Sequence, residues 1–343
     1  MKRHLNTLFV MTEGAYLRKD GQAVVVRVEK ENRLRVPLHN LDGIVCFGKI
    51  GCSPYLMAAC AEAGVTISFL SPYGGFRAAV VGFTPGNVLL RRAQYRMADD
   101  ETASCQFARN AIAAKVSNAR SVLLRGARDT KDDEQAQRLR SASRRLAYFI
   151  EEIEEAEALD RLRGLEGESA STYFSNFNDL IRVKDDAFAF QGRSRRPPMD
   201  NINALMSFLY SMLTHDLRSA CEAAGLDAAV GCLHRDRPGR PGLALDLVEE
   251  FRPFIADRLV FSLINRRQVN AQDFQAGPSG AVTLTENARK TVLSAYQNRK
   301  QDVIVHPYLQ EKTTIGLLPH LQARLCARFI RGDIQEYPAF VWK

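Results

Sequence analysis

The chain has 343 residues, 46% of them apolar and 25% charged, with a formal net charge of +8. That balance excludes a disordered chain, and the length suits two domains of ordinary size, about 100–200 residues each. No apolar run reaches the roughly 18 residues of a membrane span, and MKRHLNTLFVMTEG meets Glu13 before any cleavage-like tail, so it reads as a first strand rather than a signal peptide.

In chain order, NTLFVMT, AYLRKDG, QAVVVRVE and RLRVPL are short β-rich runs divided by turn residues, followed by GIVCFG and VTISFLSPYGGFRAAVVG. Between the last two, SPYLMAACAEAG (53–64) has helical apolar spacing and stops at Gly64. Near Gln94 the period changes: FARNAIAAKVSNARSVLLRGARD repeats its apolar residues at three and four. RRLAYFIEEIEEAEALDRLRG does the same after a polar break at 129–138. Further helical stretches are predicted at 166–183, 199–224, 243–265 and 283–300, with NAQDFQAGPSG (270–280) as a surface loop or short hairpin. The expected fold is α+β: a small β-rich, sandwich-like domain over 1–92, then a larger all-helical domain over 93–343.

Charge is distributed unevenly. Ten Lys/Arg face four acids between Arg109 and Arg145, EEIEEAE follows at 151–157, and the basic knot GRSRRPP occupies 192–198. Separated basic patches beside acidic ones suit a polyanionic partner. Seven cysteines, at 46, 52, 60, 105, 221, 232 and 326, form no CxxC pair. This argues against a disulfide framework or a thiolate zinc site and for a reducing compartment, the cytoplasm.

Two places concentrate acids among apolar residues. In GCLHRDRPGRPGLALDLVEEFRP (231–253), His234 lies on a Gly/Pro/Arg loop before a helix, and Asp246, Glu249 and Glu250 share or border one helical face. Carboxylates so close repel, and a hard divalent cation relieves the repulsion while tolerating one imidazole. Gly239 and Gly242 give the loop the freedom to fold His234 back. The alternative is plain ion pairing with Arg235, Arg237, Arg240 or Arg252. In RLRGLEGESASTYFSNFNDLI (161–181), Glu166 stands between Gly164 and Gly167 at the apparent start of a helix, where a neighbouring backbone or phosphate could approach; Glu168 is expected to face outward. Between the two, Arg193, Arg195 and Arg196 lie on a loop stiffened by Pro197 and Pro198 ahead of a helix capped by Asp200 or Asn201. Their forked guanidinium groups suit phosphate oxygens.

Four separated blocks, RLRGLEGESASTYF, RRPPMDNINALMSFLYSMLTHD, CLHRDRPGRPGLALDLVEEFRP and LTENARKTVLSAYQNR, together with the N-terminal LNTLFVMTEGAYLRKDG, resemble Cas1, the integrase of CRISPR adaptation, most closely its type I-C members. The resemblance covers nearly the whole chain. It implies that the family's metal-binding glutamate falls on Glu166, its metal-binding histidine on His234, and its acidic pair at the start of the next helix on Asp246 and Glu249. Glu166, His234 and Glu249 would then hold Mg²⁺ or Mn²⁺, with Asp246 as a supporting acid and no carried-over role for Glu250. It also implies a homodimer formed through the β domains, a complex with a Cas2 dimer, and insertion of short DNA duplexes as spacers at the leader end of a CRISPR array by 3′-hydroxyl transesterification. With water as nucleophile the same site would act as an endonuclease. Arg193, Arg195 and Arg196 would position DNA through its backbone. A stand-alone repair nuclease and a non-catalytic DNA-binding scaffold are the alternatives.

Overall fold

The structure, a computed structural model, describes residues 6–72, 76–80, 82 and 88–342. The opening MKRHL and the Tyr73–Gly75 part of the SPYGGF run lie outside the described residues. The chain divides into two compact units, Met1–Gly86 and Asn87–Lys343.

The first unit holds strands β1 (Thr7–Val10), β2 (Tyr16–Asp20), β3 (Ala23–Val28), β4 (Glu31–Pro37), β5 (Gly43–Phe47) and β6 (Gly51–Cys52). Helix α1 (Pro54–Glu62) and strands β7 (Thr66–Leu70) and β8 (Phe76–Val80) complete it. They form two four-stranded sheets, in the orders β1-β5-β7-β8 and β4-β3-β2-β6. β1 and β7 both run parallel to β5, while β3 pairs antiparallel with β2 and β4. Leu17, Val24, Ile44, Leu56 and Ile67, from both sheets and from α1, share one buried core. Burial on both faces explains why β3 reads as a continuous apolar run, with no alternation at Val24 and Val25. Helix α1 begins where expected: Ser53 Oγ accepts the Leu56 N–H at 3.3 Å, and Pro54 fills the first position, which needs no donor.

The second unit is helical: α2 (Val88–Asp99), α3 (Glu101–Asp129), α4 (Asp133–Glu155), α5 (Leu159–Phe174), α6 (Asn201–Ala223), α7 (Gly242–Glu249) and α8 (Arg258–Asn265). After a hairpin of β9 (Phe274–Ala276) and β10 (Val282–Leu284) come α9 (Glu286–Gln301), the pair β11 (Val303–Val305) and β12 (Lys312–Thr314), and α10 (Leu318–Ile330). The change of period expected near Gln94 therefore begins at Val88. Helix α3, ~44 Å long at 1.5 Å per residue, is the spine. Buried alanines at 108, 111, 114 and 119 let its neighbours approach closely. The polar break after it is shorter than expected, because Asp132 caps α4 by accepting the Gln135 N–H at 3.1 Å. Asp200 caps α6, accepting the Asn203 N–H at 2.7 Å.

Two expectations are corrected here. Helix α5 starts at Leu159, so Glu166 sits mid-helix and not at a helix N-terminus. Gly164 and Gly167 lie inside the helix with open space beside them, so the uncrowded surface expected around Glu166 is present, and the packing of Leu162, Leu165 and Tyr173 outweighs their low helix propensity. The helix predicted over 243–265 is interrupted. Its α-helical hydrogen bonding gives way to a π-helical stretch over Arg252–Asp257, since Pro253 has no N–H to donate and its ring crowds the preceding turn. Glu249 is consequently the last residue of α7 rather than one of its first turns.

Candidate active site

Lys115 lies on the face of α3 that meets α5 and α7. Its ammonium donates to Glu166 Oε1 and stands 2.7 Å from Glu249 Oε2. Arg252, one turn past Glu249, brings Nη1 within 3.0 Å of Glu249 Oε1. Burial works to raise the Glu249 carboxyl, but Arg252, then Lys115, then His234 outweigh it and hold it well below the usual carboxylate range. Burial likewise disfavours the Lys115 charge, and Glu249 and Glu166 more than restore it. Glu249 Oε2 is buried, and among the described residues the Lys115 ammonium is the group within ion-pair distance of it.

His234 reaches the same place from its loop. Asp246, fully buried in α7, accepts the backbone N–H groups of Cys232 (2.6 Å), Leu233 (3.1 Å) and His234 (3.0 Å), and its Oδ1 lies 2.6 Å from His234 Nδ1. With Nδ1 held there, Nε2 is the ring nitrogen left to face Glu249, 3.9 Å from Oε1. The loop comes this close because of two glycines. A Cβ on Gly231 would meet Asp246 Oδ2 at 2.6 Å, and one on Gly242 would meet the Ala229 carbonyl oxygen at 2.6 Å. Gly239 turns the loop at φ +76°. From α5, Arg163 donates through Nε (3.2 Å) and Nη2 (2.9 Å) to the Leu233 carbonyl, tying the Glu166 helix to the His234 loop.

Glu249 thus links the three segments: Lys115 joins it to Glu166 of α5, and His234 Nε2 faces its other oxygen from the loop. Asp246 stands behind the histidine. Among the described residues, no group of three or more His, Cys, Asp or Glu side chains is drawn together tightly enough to hold a metal ion. The donor set nevertheless fits a hard divalent cation. It offers two carboxylates and one imidazole oriented by Asp246, the oxygen and nitrogen donors such a cation takes.

Other residues fall differently. Glu168 is exposed, as expected. Glu250 is wholly buried on another side: Tyr337 Oη donates to Oε1 at 2.6 Å, and Gln322 Nε2 (3.1 Å) and the Phe340 N–H donate to Oε2. Of the four arginines close to the acids in sequence, Arg252 is the one that pairs with Glu249. Arg195 and Arg196 are exposed on their loop, whereas Arg193 turns inward, donating to Asn203 Oδ1 at 2.6 Å and lying 5.4 Å from the Tyr210 ring centroid. Arg195 lines a small cavity with Lys115, Ser169, Tyr210, Arg252 and Asp257. Lys115 was not singled out by sequence. Its signal is a lone lysine on the buried stripe of α3, four residues after Ala111 and four before Ala119.

Residues 8–298 match the family model described as CRISPR associated protein Cas1. The chain is 52% identical over 343 residues to the CRISPR-associated endonuclease Cas1 1 of Chlorobaculum tepidum, covering all of both chains. Among solved structures, it resembles a casposase bound to integration product (TM-score 0.83, 21% identity, 98% of this chain and 94% of the other). It also resembles a chain of a Cas6-RT-Cas1–Cas2 complex (TM-score 0.82, 22% identity, 98% of this chain and 36% of the other). At such identities the two structural likenesses show a shared fold.

Proposed function

The chain belongs to the Cas1 family, and on that footing we propose that Glu166, His234 and Glu249 hold the divalent cation, Mg²⁺ or Mn²⁺, of a Cas1-type DNA endonuclease and integrase. The observation that carries this reading is that Lys115 joins Glu166 on α5 to Glu249 at the end of α7, while His234 Nε2 faces Glu249 Oε1 from its loop at 3.9 Å. When bound, the cation would supply Lewis-acid polarisation of a phosphodiester and stabilise charge gathering on its oxygens. Asp246 fixes the His234 ring so that Nε2 points forward. Arg252 keeps Glu249 ionised and aimed.

In the reaction, a DNA 3′-hydroxyl oxygen forms a new bond to phosphorus, the old bond to the leaving 3′-oxygen breaks, and that oxygen takes up the proton the attacker gives away. With water in place of the hydroxyl, the outcome is strand cleavage. Arg195, which lines the Lys115 cavity, and Arg196, exposed next to it in the chain, would touch backbone phosphates, which positions DNA without reading its bases. Arg193, held inward, supports their loop and contributes less to binding.

The finer reading is a type I-C Cas1 of the cytoplasm, dimeric through its β unit, that inserts spacers together with a Cas2 dimer. All seven cysteines are free, which suits a reducing compartment. No helix among the described residues is long and apolar enough to cross a membrane. The β unit ends one sheet at strand β4 with Leu34 exposed, and exposes Tyr16 and Tyr55 as well, which suits self-association. A solved complex containing both Cas1 and Cas2 shares this fold.

Mn²⁺ binding followed by electron paramagnetic resonance tests the site. The parent and Glu168→Gln should bind one ion tightly, and His234→Ala and Glu249→Gln should lose it. Parental binding by both site variants would remove these residues from the cation site.

A further inference from the structure

A cleft of about 700 Å³ opens elsewhere in the helical unit and includes none of Glu166, His234 or Glu249. Five arginines line it, Arg125 on α3, Arg182, Arg258 and Arg266 at either end of α8, and Arg299 on α9, against two aspartates, Asp129 and Asp302. The aspartates are already engaged. Asp129 Oδ2 takes Arg182 at 3.2 Å and Arg125 at 3.8 Å, and Asp302 takes Arg299 at 2.6 Å. Among the described residues, no carboxylate lies within 4.0 Å of Arg258 or Arg266. Arg258 instead lies over the Trp342 ring, 4.0 Å from its centroid, and 5.4 Å from that of Phe254. Burial first, then the charges of Arg299 and Arg125, push its guanidinium down to about 10. Leu180, Leu259 and Phe261 give the cleft an apolar wall.

We propose that this cleft is a second phosphate-binding site, which holds a nucleic-acid strand at a distance from the reacting phosphate. Val122 and Gly126 line it seven and eleven residues after Lys115, close to two and three helical turns along the same face of α3. At 1.5 Å per residue the cleft therefore begins ~10–17 Å from the Lys115 turn, about three to five nucleotides at the duplex rise of 3.4 Å per strand. The surplus guanidinium groups take phosphate oxygens, and the apolar wall takes sugar or base edges. The phosphate chemistry stands on the cleft alone; the distance to a reacting phosphate rests on the catalytic reading above.

The test is binding of a fluorescent single-stranded oligonucleotide to the full chain in EDTA, across a salt series. Arg125→Ala/Arg266→Ala removes two exposed groups with weak or no carboxylate partners, and Arg266→Ala alone is the milder companion. Arg33→Ala/Arg35→Ala on β4 is the charge-matched control. The cleft double variant should bind at least about tenfold more weakly than the control at 0.1 M salt, with a salt slope lower by about 1.4, from 0.7 per lost single-strand contact. Arg266→Ala should show roughly half that change. Equal binding by the double variant and the control overturns the proposal. So does loss of binding to a free deoxynucleoside triphosphate with oligonucleotide binding intact, since that marks a nucleotide pocket. Because no metal is present, this outcome is independent of the catalytic site. Weakened oligonucleotide binding in the cleft variant, with no Mn²⁺-dependent cleavage by the parent, would support the cleft and refute the catalytic reading.

Discussion

Lys115 Nζ stands 2.7 Å from Glu249 Oε2 while donating to Glu166 Oε1, so one ammonium spans the gap between α5 and the end of α7. It neutralises both carboxylates, and under the proposed cation site it would compete with the ion for them.

Lys115→Met keeps the length of the side chain and removes the charge. In EDTA the variant should be less stable than the parent by ~3–5 kcal/mol, the range for leaving a buried carboxylate without its partner. Saturating Mn²⁺ should raise the melting temperature of the variant by more than that of the parent, because the competitor is gone. Equal metal-free melting temperatures would show that the ammonium contributes nothing to holding these carboxylates.

Asp246 accepts three backbone N–H groups as well as the imidazole. In Asp246→Asn an amide N–H₂ replaces an oxygen facing those donors or the ring, so both the loop and the His234 orientation suffer. Activity should fall by about 10–100-fold, the usual loss when the group orienting a ligand is removed. Unfolding should show a loss of ~1–3 kcal/mol. Parental activity would mean that His234 needs no such anchor.

Glu168, expected to face outward, and Glu250, with no carried-over role, are separated by the structure. Glu168 is exposed, and its substitution should leave melting temperature and activity unchanged. Glu250 accepts donors from Tyr337, Gln322 and the Phe340 N–H, anchoring the C-terminal segment against α10. Burial pushes its carboxyl up, to about 7, against those three donors. Glu250→Gln turns one acceptor into a donor in this network and should lower stability by ~1–3 kcal/mol, read by thermal denaturation.

Asp257 gives a pH signature. Burial raises its carboxyl to about 6 despite the hydrogen bond from Tyr210 at 2.7 Å. Below about pH 4 both folded and unfolded states carry the proton, and between about 4 and 6 the folded state alone keeps it. Its contribution to stability is therefore lost as pH rises through that window, by about 3 kcal/mol. The difference in unfolding free energy between parent and Asp257→Asn should change by that amount from pH 4 to 6; a flat difference would place the titration elsewhere.

The β-then-helix order, the α1 helix, the Asp200 cap and the loop position of His234 were legible because each follows from local spacing or a capping side chain. Glu166 reads as a helix start although α5 begins at Leu159, because the flanking glycines have low helix propensity and only tertiary packing carries the helix through them. The break at Pro253 was hidden by an apolar period that runs straight through it. Lys115 and the Glu250 network escaped because their partners are distant in sequence: Lys115 meets Glu249 across 134 positions, and Glu250 meets Tyr337 across 87. Helical period shows which face is buried, and partners so far apart are joined by packing alone.

The central claim is tested most directly by transfer of a labelled DNA duplex into a repeat-bearing target, with a Cas2 dimer and Mn²⁺ added and DNA binding measured in parallel. Glu166→Gln, His234→Ala and Glu249→Gln should each reduce strand transfer by at least about a hundredfold while retaining most DNA binding, because they serve the cation and not the attraction for phosphate. Near-parental strand transfer by any one of the three would contradict the assignment of that residue to the catalytic centre.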